Sequence, residues 1–333
     1  MSRSVASQMI VGSALCLSVF GLPILALADA IAPVETQSPG YFRLAVGAYE
    51  VTALFDGYND LSPGLLLNLD QKRIRGLLDH QAIKTPNVQT TFNAFLINTG
   101  THVVLIDTGA GRCIGDTAGN LLANMRAAGY VPDQIDTILL THMHLDHVCG
   151  LVDKEGKALF SKATVYSSKA EADFWLDEAT AANATEKARE GFKIAQHSLA
   201  PYRADGRFKT FVPPASPILD IKTRLVPGHT PGSATYSLIS SGEQIVFIGD
   251  MIHNAAVQFD HPEVAIRFDS DPKKAVAARE TEFEQLSKDG SWVAAAHLPF
   301  PGVGHITREE KSYHWAPAPY GPYHRPDNVP VLK

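Results

Sequence analysis

Cysteine is scarce in this chain, with three in 333 residues, and one of them, Cys16, falls within the first 30. Two cysteines in the remainder make no disulfide framework. A single bond between Cys113 and Cys149 is open to the chain in an oxidising compartment, but the expectation is two buried thiols, with Cys149 packed beside its loop. Clustered positive charge is also missing. Lys and Arg number 29 against 35 Asp and Glu, for a formal charge of −6, and no polybasic run occurs. That excludes a nucleic-acid partner, since a phosphate backbone needs clustered cations. Beyond residue 30 no apolar run approaches the roughly 20 residues that span a bilayer, so no stable membrane insertion is expected. There is no G-x-S-x-G turn to expose a serine nucleophile, no internal repeat and no low-complexity linker.

What is present begins with an address. Arg3 supplies a positive start, "MIVGSALCLSVFGLPILALA" an apolar stretch interrupted by Pro23, and "ADA" at 28–30 a small-x-small cleavage site. Residues 1–30 are therefore expected to be a cleaved signal peptide, the mature chain to be periplasmic or secreted, and 31–333 to form a single domain. Along that domain, "AFLINTGTHVVLIDTG" (94–109) has two β-rich runs joined at a Gly-containing turn, and 120–130 has helical spacing ending near Gly129. "IDTILLT" then follows as a short apolar run of the kind buried on both faces. "ATVYSSKAEADFWL" suggests a strand feeding a helix, 177–200 is polar helical material, and 218–248 alternates as hairpin strands do. The Pro-rich end "APAPYGPYHRPDNVP" has the character of an extended closing segment. This order predicts one α/β domain.

The stretch "THMHLDHVCG", 141–150, puts three histidines and an aspartate into six consecutive positions. His142, His144 and His147 are two and three residues apart, so no single helix face collects them. An extended segment aims His142 and His144 together, and a tight turn brings Asp146 and His147 to a second position. Imidazole and carboxylate suit zinc or a similar borderline ion, which needs three or four such ligands. Further donors close other apolar runs: His229 in "VPGHTPGS", Asp250 in "IVFIGDMI" and His297 in "WVAAAHLPFPGVGH". Asp107 in "IDTG" is placed to orient a ligand from behind.

The set H-x-H-x-D-H, G-H-T-P-G, G-D and a late His resembles the metallo-β-lactamase fold hydrolases over most of 40–310. The resemblance implies an αββα sandwich holding two divalent metal ions, most simply zinc, at one edge. It assigns His142, His144 and His229 to one ion, Asp146, His147 and His297 to the other, and Asp250 to both, with a water-derived nucleophile. True β-lactamases of this fold place a Cys at the second ion, and neither mature Cys falls there; glyoxalase II shares the ligands, but export away from glutathione makes it a weak second. "YFRLAVGAYEVTALFDG", "EADFW", "AAVQFD", "FDSD" and "AAAHLPFPGVGHI" resemble the methyl parathion hydrolases and their organophosphate-hydrolase relatives. That subgroup implies a homodimer and a substrate pocket of Ile114, Trp175, Phe192, His253 and Phe268. Ile114 stands where Phe is expected, and His253 and Phe268 where Leu is expected. The implied activity is hydrolysis of aryl phosphotriesters; the alternatives are lactone or ester hydrolysis, including acyl-homoserine lactones, and a metal-binding protein without catalysis. His253, three residues beyond Asp250, is in addition a candidate general acid for a lactone's alkoxide.

Overall fold

The computed structural model describes residues 31–321. The segment up to Gln37 is a unit of its own, and its described part, 31–37, has no regular secondary structure. The expected signal peptide and its cleavage site lie outside the described residues, as does the closing segment after 321. Among the described residues no helix is long and apolar enough to cross a membrane.

From Ser38 onward the chain builds two sheets. The first runs Tyr41–Val46, Tyr49–Leu61, Val88–Asn98, Val103–Ile106, Thr137–Leu139, Thr164–Ser168, Phe208–Phe211 in spatial order. Its first four strands pair antiparallel and the rest join in parallel. The alternation of Tyr41–Val46, with Phe42, Leu44 and Val46 buried, is what a one-sided strand requires. Thr137–Leu139 is buried throughout because it sits between parallel neighbours, Ile138 facing a helical layer and Leu139 the other sheet. The second sheet is ordered Ser312–Pro317, Val303–Glu309, Trp292–Ala294, Glu243–Phe247, Ala234–Ser240, Ile221–Leu225.

Three apolar layers separate the elements. Phe95, Ile97 and Ile106 meet Tyr236, Leu238 and Phe247 between the sheets. Leu96, Leu105 and Val165 pack outward against Met125, Leu199 and Tyr202 of helices Leu121–Ala127 and Glu186–Ala204. Val246 and Val293 pack against Phe283 and Leu286 of helix Pro272–Asp289, which Asp271 caps and Gly290 ends in a left-handed turn. The architecture is the αββα sandwich expected. The helix anticipated over 120–130 is shorter, and 177–200 divides into Glu178–Asn183 and Glu186–Ala204, the second capped by Thr185.

The expectation of two free, buried thiols is corrected. Cys113 and Cys149 form a disulfide across 36 residues with Cα atoms 6.2 Å apart, and Cys113 is exposed. The loop after strand Val103–Ile106 folds back over the histidine-rich loop and brings the two together, a proximity that spacing along the chain does not encode.

Candidate metal centre

Parallel strands deliver their carboxyl ends to one edge of a sheet, and both sheets use that edge here. From the first, Val103–Ile106 ends at Asp107, Thr137–Leu139 leads to Thr141 and His142, and Thr164–Ser168 runs into helix Lys169–Trp175. From the second, Glu243–Phe247 leads to Asp250 and its parallel neighbour Trp292–Ala294 to His297. His229 arrives on the turn joining Ile221–Leu225 to Ala234–Ser240. His144 is the extended N-cap of a one-turn helix, Leu145–Val148, so Asp146 and His147 come round on helical turns where a tight turn was expected. Gly150 ends this loop because a Cβ there would lie 1.8 Å from the Thr108 carbonyl oxygen.

The structure gathers these donors into two groups. One is His142, His144, His229 and Asp250; the other is Asp146, His147, His297 and Asp250. In the first, His229 Nε2 and His142 Nε2 lie 2.9 and 3.1 Å from His144 Nδ1, and 3.1 and 3.5 Å from Asp250 Oδ2. In the second, His297 Nε2 is 3.4 Å and His147 Nε2 3.7 Å from Asp146 Oδ2. Bonds of 2.0–2.1 Å to a tetrahedral zinc put neighbouring ligand atoms about 3.3 Å apart, so the spacing of both groups fits. His147 Nε2 and Asp250 Oδ1 make the same point: 2.9 Å apart and buried, neither has a hydrogen-bond partner. Two buried polar atoms this close with no hydrogen bond made by either are a pair that a shared cation would satisfy.

The outward-facing nitrogens are tied down. His147 Nδ1 is 2.8 Å from Asp107 Oδ2, His229 Nδ1 2.9 Å from Asp269 Oδ1, His297 Nδ1 2.9 Å from the Thr91 carbonyl, and His142 Nδ1 3.1 Å from Thr141 Oγ1. Thr141 in turn donates its hydroxyl and its N–H to the two Asp107 oxygens. Each contact places the proton on Nδ1 and leaves Nε2 free for the interior. The orienting role expected of Asp107 is what its contacts provide.

Charge in the cluster is divided. Burial, and then neighbouring imidazoles, hold His142 and His144 well below the ordinary histidine value, so both are neutral and ligand-competent. Burial also opposes a proton on His147, His229 and His297, but carboxylates outweigh it. Asp250 and Asp107 raise His147 well above the usual value, Asp250 and Asp269 raise His229 to about 9, and Asp250 raises His297. Asp250 itself is held well below the carboxylate range, burial being overcome by His147, His297 and His142. A cation entering the cluster thus displaces protons that the same carboxylates hold.

The expected pocket residues separate. Trp175 is buried and meets His144 edge-on at 5.4 Å, with Phe192 packed 4.7 Å behind it in the helix-layer core. His253 is buried, stacked on His297 at 4.8 Å and 5.1 Å from His229, with Nε2 3.3 Å from Asp250 Oδ2 and Nδ1 without a partner. Phe268, 41% exposed, lies 6.1 Å from the His253 ring at the rim. Ile114 is half-buried beside Cys113. Burial pushes His253 down to about 4, so its ring is neutral near pH 7 and holds no stored proton for a general acid.

Sequence reasoning missed Asp269, Glu171 and Thr141. Asp269 sits inside "FDSD", quoted above without a role, and its partner His229 is 40 residues away. Glu171 follows Ser168 in an S-x-x-E pattern, which signals a helix start and nothing about a ligand loop.

Comparison with known proteins agrees with this geometry. The profile of the Metallo-beta-lactamase superfamily matches residues 93–297. None of the curated proteins matches the chain. Among solved structures, AbOPH, a hydrolase in the beta lactamase superfamily, is 44% identical with a TM-score of 0.83, over 86% of this chain and 100% of AbOPH. AidC, a dizinc quorum-quenching lactonase solved with the product N-hexanoyl-L-homoserine, is 26% identical with a TM-score of 0.79, over 85% of this chain and 99% of AidC. A probable metal-dependent hydrolase from Staphylococcus aureus, 20% identical with a TM-score of 0.65 over 76% of this chain and 91% of its own, shares the fold.

Proposed function

The chain belongs to the metallo-beta-lactamase superfamily and is a metal-dependent hydrolase; from that premise we propose that it is an exported two-metal enzyme that hydrolyses small esters, lactones first and aryl phosphotriesters second. The observation that carries the two-metal reading is Asp250. Its Oδ1 faces His147, and its Oδ2 lies 2.9, 3.1 and 3.5 Å from His297, His229 and His142, so one carboxylate belongs to both groups. His142, His144 and His229 would hold one ion, Asp146, His147 and His297 the other, and Asp250 both. The mixed nitrogen and oxygen set favours zinc. Held there, two such ions would supply a solvent nucleophile near neutral pH and polarise the bond under attack.

The chain's own residues do the rest. Asp107, Asp269, Thr141 and the Thr91 carbonyl fix the ring orientations, and Trp175 packs edge-on against His144. His253 is neutral and stacks on His297, with Nε2 3.3 Å from the Asp250 carboxylate that both groups share. The lactonase activity of AidC favours lactones; the stretches resembling methyl parathion hydrolases favour phosphotriesters. Elemental analysis of the mature protein, and its kcat/KM on acyl-homoserine lactones and aryl phosphotriesters before and after chelation, test the reading. About two zinc ions per chain and chelator-sensitive turnover are expected. Active protein without bound metal would refute the two-ion assignment, and a phosphotriester preference would reverse the substrate order.

Export is supported by the signal-like first 30 residues and by the Cys113–Cys149 bond, which persists in oxidising compartments. Protein from the periplasmic fraction is expected to begin at Ile31 by N-terminal sequencing. The homodimer implied by resemblance is checked by sedimentation.

A further inference from the structure

Glu171 lies in the first turn of helix Lys169–Trp175 and is wholly buried. A carboxylate taken out of water is costly unless donors surround it. Here Oε1 accepts from the Met143 N–H at 2.8 Å, and Oε2 from the Gly232 N–H at 2.9 Å and the Thr230 hydroxyl at 2.7 Å. Met143 stands between His142 and His144, while Thr230 and Gly232 follow His229 on the other loop. One carboxylate therefore joins the backbones of the two loops that carry three of the first group's four donors.

The junction is close-packed. A Cβ on Gly232 would lie 2.0 Å from the Glu171 nitrogen, and Ser168, which caps the helix by accepting from the Glu171 N–H, donates to the Gly232 carbonyl at 2.6 Å. Four residues further along the same helix face, Trp175 meets His144. The second group has different supports: Asp107 behind His147 and the Thr91 carbonyl behind His297.

Resting on the two-ion reading above, we propose that Glu171 is a positioning residue for the His142, His144 and His229 group alone, setting the distance between its two loops. Glutamine does not replace it. An amide has one accepting oxygen and one NH2, so in either orientation a donor faces the N–H of Met143 or of Gly232.

The test is zinc affinity, read by competition with a chromophoric chelator on the whole mature chain. Glu171→Gln is introduced into Asp146→Ala, which leaves the first group, and into His229→Ala, which leaves the second. The expected result is an affinity about 10- to 100-fold weaker in the first background and unchanged in the second. Equal weakening in both backgrounds, or none in either, would overturn the assignment to one group. A wild-type chain that binds no zinc would overturn the two-ion reading itself. If circular dichroism shows Glu171→Gln unfolded, Thr230→Val, which removes one of the three donors, is read in the same two backgrounds. A smaller loss confined to the first supports the proposal, and a loss in both or neither refutes it.

Discussion

The two metal-competent groups use the same side-chain chemistry but rest on different supports. The second leans mainly on strands: Asp107 directly follows Val103–Ile106, Thr91 lies within Val88–Asn98 and His297 follows Trp292–Ala294, while Asp146 and His147 share the His144 loop. The first is borne by loops, with His144 and His229 outside regular strands and held from behind by Asp269 and by the loop-joining Glu171. Strand ends inherit their positions from a hydrogen-bonded sheet, whereas loops need side chains brought from elsewhere in the chain to hold them. The first group is therefore expected to depend on distant residues at both of its loops, and the second mainly on Asp107.

Asp250→Asn would break the comparison altogether, because both groups lose their shared anion. We expect metal content to fall at both sites and turnover to drop by more than the about 10- to 100-fold that follows loss of an orienting residue. Near-normal zinc by elemental analysis in that variant would show that the sharing is misassigned.

Asp107→Asn sharpens it. In either orientation the new amide's NH2 meets a donor: the Thr141 N–H at one position, or His147 Nδ1–H and the Thr141 hydroxyl at the other. The second group should weaken by about 10- to 100-fold, and the first by less, through Thr141 and His142. A larger loss at the first group, measured in the single-group backgrounds, would invert the order of support.

Asp269→Asn confines the damage to His229. In the metal-free protein the carboxylates hold the His229 proton up to about 9, so removing one lowers the value, and NMR titration should show it. The sign for metal follows. Below about pH 9 protons compete for wild-type His229 and apparent affinity falls as pH falls; in the variant that competition begins at a lower pH. The loss of affinity, nearer about 10-fold than 100-fold, is accordingly greatest at high pH and shrinks toward neutrality. An unshifted titration would remove Asp269 from the account.

Cys113→Ser should have the smallest effect on the centre. The bridge closes 36 residues of chain, and its removal is expected to cost about 2–4 kcal/mol of stability, visible as a lower Tm. Zinc content should hold at both groups, because the loop after His147 remains pinned by the Thr108 N–H and hydroxyl, both donating to the His147 carbonyl. Loss of zinc in step with the bridge would make the disulfide part of the second group's support.

The donors of both groups were legible in the chain because each closes a short apolar run, and a run of that kind ends at a sheet edge wherever it is placed in the fold. His142, His144, Asp146 and His147 come from one loop, so local geometry alone divided them into two pairs. The α/β class followed from the alternation of strands with helical stretches, and the αββα layer order from the resemblance carried by the ligand motifs. Three other features were decided only by the folded chain. Glu171 carries the local signature of a helix start, yet its carboxylate turns to two loops 28 and 61 residues away. Asp269 meets His229 only because the segment before helix Pro272–Asp289 crosses the turn at Gly228, where the Asp271 N–H donates to the Gly228 carbonyl. Cys113 and Cys149 bond because two loops cross above the first sheet. A ligand motif is written in spacing along the backbone, where local sterics set direction; what holds a motif in place is written in contacts between segments, whose distances depend on how every layer packs.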